Sequence, residues 1–450
     1  MKNLNHCVKL ISARQVAFQI LWRVMTEQAF ATNLLVSNLT TKLSSLDRSL
    51  TQEIVLGSLR QERYLDYFLE KVGGLKLNKL DKEVLIILRL GFYQIHFLSR
   101  IPDYAVVNDC VNLTKISGKA SASRLVNAVL RKLTRLQIKE KISCQDPIEE
   151  IALNHSHPTW LIKNWVNHYG LSVAQSIAES NNKPNPICFR VNNLKITTGQ
   201  ILELLKRNNV VIQPSSLLET AFCLMEGDSQ ILLKLAREGK IYLQDVASQL
   251  IAHLVTAEKG MRIFDACAAP GGKTTLIASL MENQGLIIAG DLHLARVKLI
   301  QQTAKKLGVS IINSICCDVT KHVPINQNIL FDRVLVDAPC SGTGTLRHNP
   351  EIKWRLFPEK LEELSKLQLE IISNCANLVK SKGRLIYSTC SLEYEENEQV
   401  IEKFLSKNKN FRLVKAEVPE LLITKEGFIR TFPYRDNTEG FFAALMEKTN

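Results

Sequence analysis

The stretch Met261-Arg262-Ile263-Phe264-Asp265-Ala266-Cys267-Ala268-Ala269-Pro270-Gly271-Gly272-Lys273-Thr274-Thr275 decides the fold. A short apolar run ends in an acid. Small residues, a proline and two glycines follow, and a helical run from Leu276 to Met281 closes the unit. Strand, tight turn and helix in that order open a parallel α/β sheet. Glycines let the backbone close around a ligand, and the next helix N-terminus offers unpaired N–H groups to an anion or carboxylate. A Walker phosphate loop needs Gly five residues before its Gly-Lys-Thr, and Cys267 stands there. No G-x-G-x-x-G occurs, which counts against a nicotinamide or flavin enzyme.

Downstream, strands and helices alternate, which predicts a doubly wound sheet. Strand Leu286–Gly290 ends at Asp291, and a helix runs from Ala295 to Leu307. Strand Ser310–Cys316 ends near Asp318, and Arg333–Val336 runs into Asp337-Ala338-Pro339-Cys340-Ser341-Gly342. A long helix is expected from Pro358 to Val379, then a strand, Arg384–Ser388, ending at Thr389-Cys390-Ser391. Five strands thus finish in Asp or Cys at the sheet edge where open α/β folds bind ligands. Asp291 lies where such folds place an acid on ribose hydroxyls, and Asp318 closes the next strand. Cys340 and Cys390 each follow a buried-type strand; if those strands are neighbours, the thiols converge and one can serve as a nucleophile.

Upstream of the organising loop the pattern changes. Ala13 to Leu136 reads as an all-α bundle, with Val16, Ile20, Leu21 and Val24 at helical spacing. Residues 1–140 hold 21 Lys and Arg against 11 Asp and Glu, a net of +10 out of +13 for the chain. That asymmetry points to a basic module for a polyanion, although solubilising surface charge gives the same totals. Residues 145–240 read as a small α+β connecting domain; His155 and His157 lack a third ligand at metal-binding spacing and belong to a loop. Met1–Ser12 lacks the apolar core of a signal peptide, and no run is long enough for a membrane span. Eleven cysteines, none in C-x-x-C, are expected to be reduced thiols of a cytoplasmic protein rather than a disulfide or zinc framework.

Arg14-Gln15-Val16-Ala17, Leu85–Tyr93, Ala105–Val111 and Leu125-Val126-Asn127-Ala128-Val129-Leu130 resemble the NusB-like RNA-binding bundle. Cys267–Lys273, Asp337–Gly344 and Ser388-Thr389-Cys390-Ser391 resemble motifs I, IV and VI of the S-adenosylmethionine-dependent RNA cytosine-C5 methyltransferases, in the RsmB/NOP (Sun/Fmu) family. The resemblance implies three domains: a NusB-like helical RNA-binding domain at 1–142, the connecting domain at 145–240, and a Rossmann-like class I methyltransferase at 241–450. It implies C6 attack by Cys390 and product release assisted by Cys340, a ranking that spacing alone leaves open. Asp337 would hold the cytosine edge. Cys267, Ala268, Ala269, Pro270, Gly271, Gly272 and Lys273, with Asp291, Asp318 and Asp337, would hold S-adenosylmethionine. The implied substrate is 16S rRNA, unassembled or partly assembled, for a monomer without metal. A tRNA or other rRNA substrate, or a catalytically inert RNA-binding assembly or antitermination factor, are the alternatives. Glu439 departs from the family pattern, where Asp-Gly-Phe-Phe is more usual.

Overall fold

The computed structural model describes residues 12–136, 141–321, 323–326 and 329–449. It divides into two compact units, Met1–Lys183 with Leu346–Arg355, and Pro184–Thr345 with Leu356–Asn450.

The first unit is helical, as the three-and-four spacing predicts. Ser12 starts Ala13–Glu27 with a reciprocal capping box: its hydroxyl accepts from the Gln15 N–H, and its own N–H donates to the Gln15 side chain. The buried stripe Val16, Ile20, Leu21 and Val24 joins one core with Ile54 and Leu59 of Ser45–Arg60 and Ile87 and Leu88 of Lys82–Phe97. Ser123–Thr134 buries Val126, Val129, Leu130 and Leu133 and carries Arg131 and Lys132 in its last turn, where cations complement the helix dipole. His157 is buried, with Nδ1 2.7 Å from the His155 carbonyl and Nε2 3.3 Å from Asn181 Nδ2, so it is tied into the packing. Among the described residues no group of three His, Cys, Asp or Glu is placed to hold a metal, and no helix is long and apolar enough to cross a membrane.

Leu346–Arg355, which follows the Cys340 loop in sequence, is built into this helical unit. Arg355 donates to the carbonyls of Val24, Gln28 and Ala29, Trp354 Nε1 to Leu59 and Lys353 Nζ to Arg60, all at 2.8–2.9 Å. Several of these are the orphan carbonyls of helix C-termini, which side-chain donors satisfy.

The second unit contains two sheets. The smaller is antiparallel, in the order Val211–Pro214, Ala221–Glu226, Cys188–Val191, Ile241–Leu243. With helices Thr198–Arg207 and Ser229–Arg237 it makes a βαββαβ unit of ferredoxin-like type. The expectation that every cysteine is a reduced thiol fails here: Cys188 and Cys223 form a disulfide. They are 35 residues apart in sequence, but antiparallel pairing sets them directly opposite each other, which no sequence spacing reveals.

The larger sheet runs in the order Phe411–Leu413, Phe442–Lys448, Val379–Thr389, Phe331–Asp337, Arg262–Asp265, Leu286–Asp291, Ile312–Cys316; Ile429–Arg430 pairs beside Phe442–Lys448. The last five of the main run are parallel, so their C-terminal ends share one edge. Alternation sends Phe264, Val334, Val336 and Tyr387 to one core, with Ile372 and Cys375, and Ile263, Leu335 and Ile386 to another, with Ala247, Ile251 and Ile277. One boundary differs from expectation. The long helix stops at Ala376, and the following strand spans Val379–Thr389, because Val379 pairs with Phe331 across a register shift instead of extending the helix.

Candidate active site

Phe264 pairs with Ile288 and Val334, so the organising loop leaves the centre of the parallel sheet. The turn uses a cis Ala269–Pro270 bond and Gly271 at φ 98°, and Gly272–Leu280 begins at once. Gly272 is closely approached: a Cβ there would lie a tight 3.1 Å from the Tyr242 ring. A cleft of about 230 Å³ opens here, lined by Cys267, Ala268, Ala269, Pro270, Gly272, Lys273 and Asp337. Asp291 and Asp318 stand at the ends of the next strands along the same edge but outside this lining. Asp291 accepts from the His293 N–H; Asp318 accepts from the Thr320 hydroxyl and N–H, which holds its carboxyl below the usual carboxylate range.

Tyr242, Leu243, Gln244, Ser248 and Asp265 complete the lining. The acid ending the first strand was visible in the sequence, but its place in the cleft was not. Burial pushes the Asp265 carboxyl up to about 7, against a hydrogen bond from the Thr274 hydroxyl at 2.7 Å. Its Oδ1 has no well-formed hydrogen bond, although the Cys267 N–H lies near enough to oppose the rise. Tyr242 and Gln244 arrive from the small sheet. Arg190, 2% exposed, donates to Gln244 Oε1, to the Gly272 carbonyl and to Thr275 Oγ1, and lies 5.1 Å from the Tyr242 ring centroid. Burial lowers its pKa to about 10. These residues are far from the loop in sequence, and no motif marks them.

Asp337 bridges the cleft and the cysteines. Lys273 Nζ donates to its Oδ2 at 2.7 Å and the Ser388 hydroxyl to its Oδ1 at 2.8 Å. Burial opposes the Lys273 charge, but Asp337 outweighs it and the pKa rises. Asp337 and Ser388 are register partners, so the loops carrying Cys340 and Cys390 leave neighbouring strands, and the two sulfurs lie 3.2 Å apart. The hydrogen bond to Cys390, then burial, pushes the Cys340 thiol well above the usual thiol range. Burial does the same to the Cys267 thiol in the cleft lining.

Backbone approach locks the loops. The Gly344 N–H donates to the Cys390 carbonyl and the Gly440 N–H to the Gly344 carbonyl, both at 2.9 Å. A Cβ on Gly344 would sit 1.9 Å from the Gly440 carbonyl oxygen, so that position requires glycine; a Cβ on Gly440 would meet the Leu392 side chain at 2.7 Å and the Gly344 Cα at 3.0 Å. The neighbouring Glu439 donates its backbone N–H to Asp245.

Residues 252–447 match the family described as 16S rRNA methyltransferase RsmB/F, residues 11–135 the NusB family, and residues 157–229 the RsmF/B-like ferredoxin-like domain. The chain is 34% identical over 447 residues to a probable ribosomal RNA small subunit methyltransferase B of Bacillus subtilis (strain 168), covering 98% of this chain and 100% of that one. A protein of the same name from Synechocystis sp. is 33% identical with the same coverage. Among solved structures, PH0851 is similar with a TM-score of 0.84 at 27% identity, over 98% of this chain and 100% of its own. A methyltransferase homolog protein from Pyrococcus horikoshii gives 0.60 at 29% identity, over 68% of this chain and 100% of its own. Full-length likeness, on a sheet whose edge pairs two cysteines beside a glycine-turn cleft, makes this chain a member of the ribosomal RNA small subunit methyltransferase B family.

Proposed function

We propose that the protein methylates C5 of cytosine in 16S rRNA, with S-adenosylmethionine as methyl donor, Cys390 as nucleophile and Cys340 as the thiol that assists release. One observation carries the reading: two sulfurs 3.2 Å apart, on adjacent strand ends that also hold Asp337 at the cleft. The cleft suits a zwitterionic ligand. Asp265 offers an unmet acceptor, and Lys273 and the Gly272–Leu280 N-terminus offer positive charge. Cys267–Lys273 and Asp337 would hold the amino-acid end of the donor and Asp291 and Asp318 its adenosine; bound there, it supplies an electrophilic methyl group.

C5 of cytosine is a weak nucleophile. Addition of the Cys390 thiolate to C6 makes C5 enamine-like and able to accept the methyl group. Loss of the C5 proton and expulsion of the Cys390 sulfur then restore the aromatic ring. The family likeness supports giving the attack to Cys390 and the assistance in elimination to Cys340, whose thiol the Cys390 hydrogen bond and burial hold well above the usual range. A target base in a duplex must leave the stack, so a module that grips the backbone is needed, and the basic helical segment 1–142 is assigned that role.

The test is methyl transfer from labelled donor to deproteinised 16S rRNA. Wild type transfers label and Cys390→Ala does not; transfer by that variant would overturn the nucleophile assignment. Cys340→Ala accumulates a protein–RNA adduct on a denaturing gel. Bisulfite mapping of total RNA from cells with and without the protein separates 16S rRNA from tRNA as substrate.

A further inference from the structure

Glu396 lies behind the two cysteine loops rather than in the cleft. It is fully buried, and among the described residues its carboxylate forms no salt bridge. Four donors converge on it. Oε1 accepts from the Ser341 N–H at 2.8 Å and from Gln368 Nε2 at 2.9 Å. Oε2 accepts from the Ser391 hydroxyl at 2.5 Å and from the Ser341 hydroxyl. Ser341 directly follows Cys340, and Ser391 directly follows Cys390, so one carboxylate grips the residue after each sulfur. The two serine hydroxyls are also 3.0 Å from each other. The grip is itself braced. The Tyr387 hydroxyl donates to the Glu396 carbonyl at 2.6 Å, and the next residue, Asn397, donates to the Ser391 carbonyl at 2.9 Å. Gln368 Nε2 donates in addition to the Pro339 carbonyl, on the other side of Cys340. Burying a carboxylate without a counter-ion is costly unless donors surround it, so this arrangement needs a return other than stability.

We propose that Glu396 is the positioning residue that holds the sulfurs of Cys340 and Cys390 at reacting distance. The consequence for turnover rests on the cytosine chemistry proposed above; the geometric claim stands apart from it. The isolated protein is treated with diamide, which takes two electrons and two protons from a close thiol pair and leaves a disulfide. The Cys340–Cys390 cross-link is followed by peptide mass spectrometry. Wild type cross-links readily. Glu396→Gln, which keeps the shape but adds donors where acceptors are required, slows cross-linking at least about tenfold. Ser341→Ala and Ser391→Ala each slow it less, and they carry the test should the glutamine variant melt below the assay temperature. In methyl transfer, kcat of Glu396→Gln falls about 10²-fold, the scale of a 1 Å misplacement, while KM for RNA and donor affinity hold. Unchanged cross-linking in all three variants overturns the proposal, as does a loss of turnover that appears wholly in KM. Slowed cross-linking, with wild type unable to methylate any RNA, upholds the positioning role and overturns the cytosine chemistry instead.

Discussion

The helical unit and the sheet unit both bury charge, and they treat it differently. In the helical unit Arg89 is clamped by Asp66 at 2.6 Å and Glu62 at 2.9 Å, and the buried Lys353 ammonium donates to a helix-end carbonyl. Burial lowers the Arg89 pKa, but Glu62 and Asp66 more than restore it, so this charge is locked in. In the sheet unit Asp265 is equally buried, with an oxygen lacking a good donor and a carboxyl pushed up to about 7. Satisfied charges there serve geometry: Lys273 pins Asp337, and Glu396 pins the cysteine loops. Unmet polar atoms occur in both units, Arg60 Nε and Glu351 Oε2 in the first and Asp265 Oδ1 in the second; the difference is that Asp265 lines a cleft, the usual mark of a site that spends stability on function.

The comparison breaks if substitutions in the two units have the same consequences. Cys390→Ala gives the largest effect, loss of methyl transfer of about 10³-fold or more with a much smaller change in Tm, because it removes the attacking atom but only one half-buried sulfur from the packing. Gly344→Ala comes next: its Cβ would strike the Gly440 carbonyl, so soluble yield and Tm both collapse in an expression and melting assay. Arg89→Ala, in the helical unit, leaves two carboxylates facing each other and costs about 3–5 kcal/mol in denaturant unfolding.

Asp265→Asn sharpens the comparison through pH. A carboxyl whose folded pKa is raised contributes stability that is fully present below its unfolded pKa of 3.8 and is lost as pH rises through about 7. Ligand-free Asp265→Asn therefore gains on wild type between pH 4 and 8, by at most about 4 kcal/mol, with weakened donor binding. Melting curves at pH 5 and pH 8 check the sign; equal differences at both would mean the carboxyl is not held protonated. The smallest effect belongs to Lys183→Ala, whose partner Glu179 is equally exposed; the loss stays within about 0.5 kcal/mol.

Much of this was legible in the sequence. The period-3.6 stripe ending near Leu136, the strand–turn–helix at Asp265 to Thr275 and the turn cysteines after Val336 and Ser388 are local patterns, and each appeared as expected. Gly344 was visible within the Asp337–Gly344 motif, but its reason was not, since the carbonyl oxygen that excludes a side chain there belongs to Gly440, much later in the chain. The Cys188–Cys223 disulfide, the seating of Lys353, Trp354 and Arg355 among helix ends, and the entry of Tyr242 and Gln244 into the cleft share that character. Glu396 stands in an acidic run with Glu393, Glu395 and Glu398, and only packing buries Glu393 and Glu396 and leaves the other two partly exposed.

The sequence by itself determined the kinds of element, their order and the chemical groups at the strand ends, because side-chain periodicity and turn chemistry act over a few residues. The tertiary structure alone decided which groups meet: that Asp337 and Ser388 are register partners, that the two sulfurs are 3.2 Å apart, and that one buried carboxylate spans both loops. Those are long-range pairings, set by how parallel strands are ordered in the sheet, and strand order is a property of the packed chain.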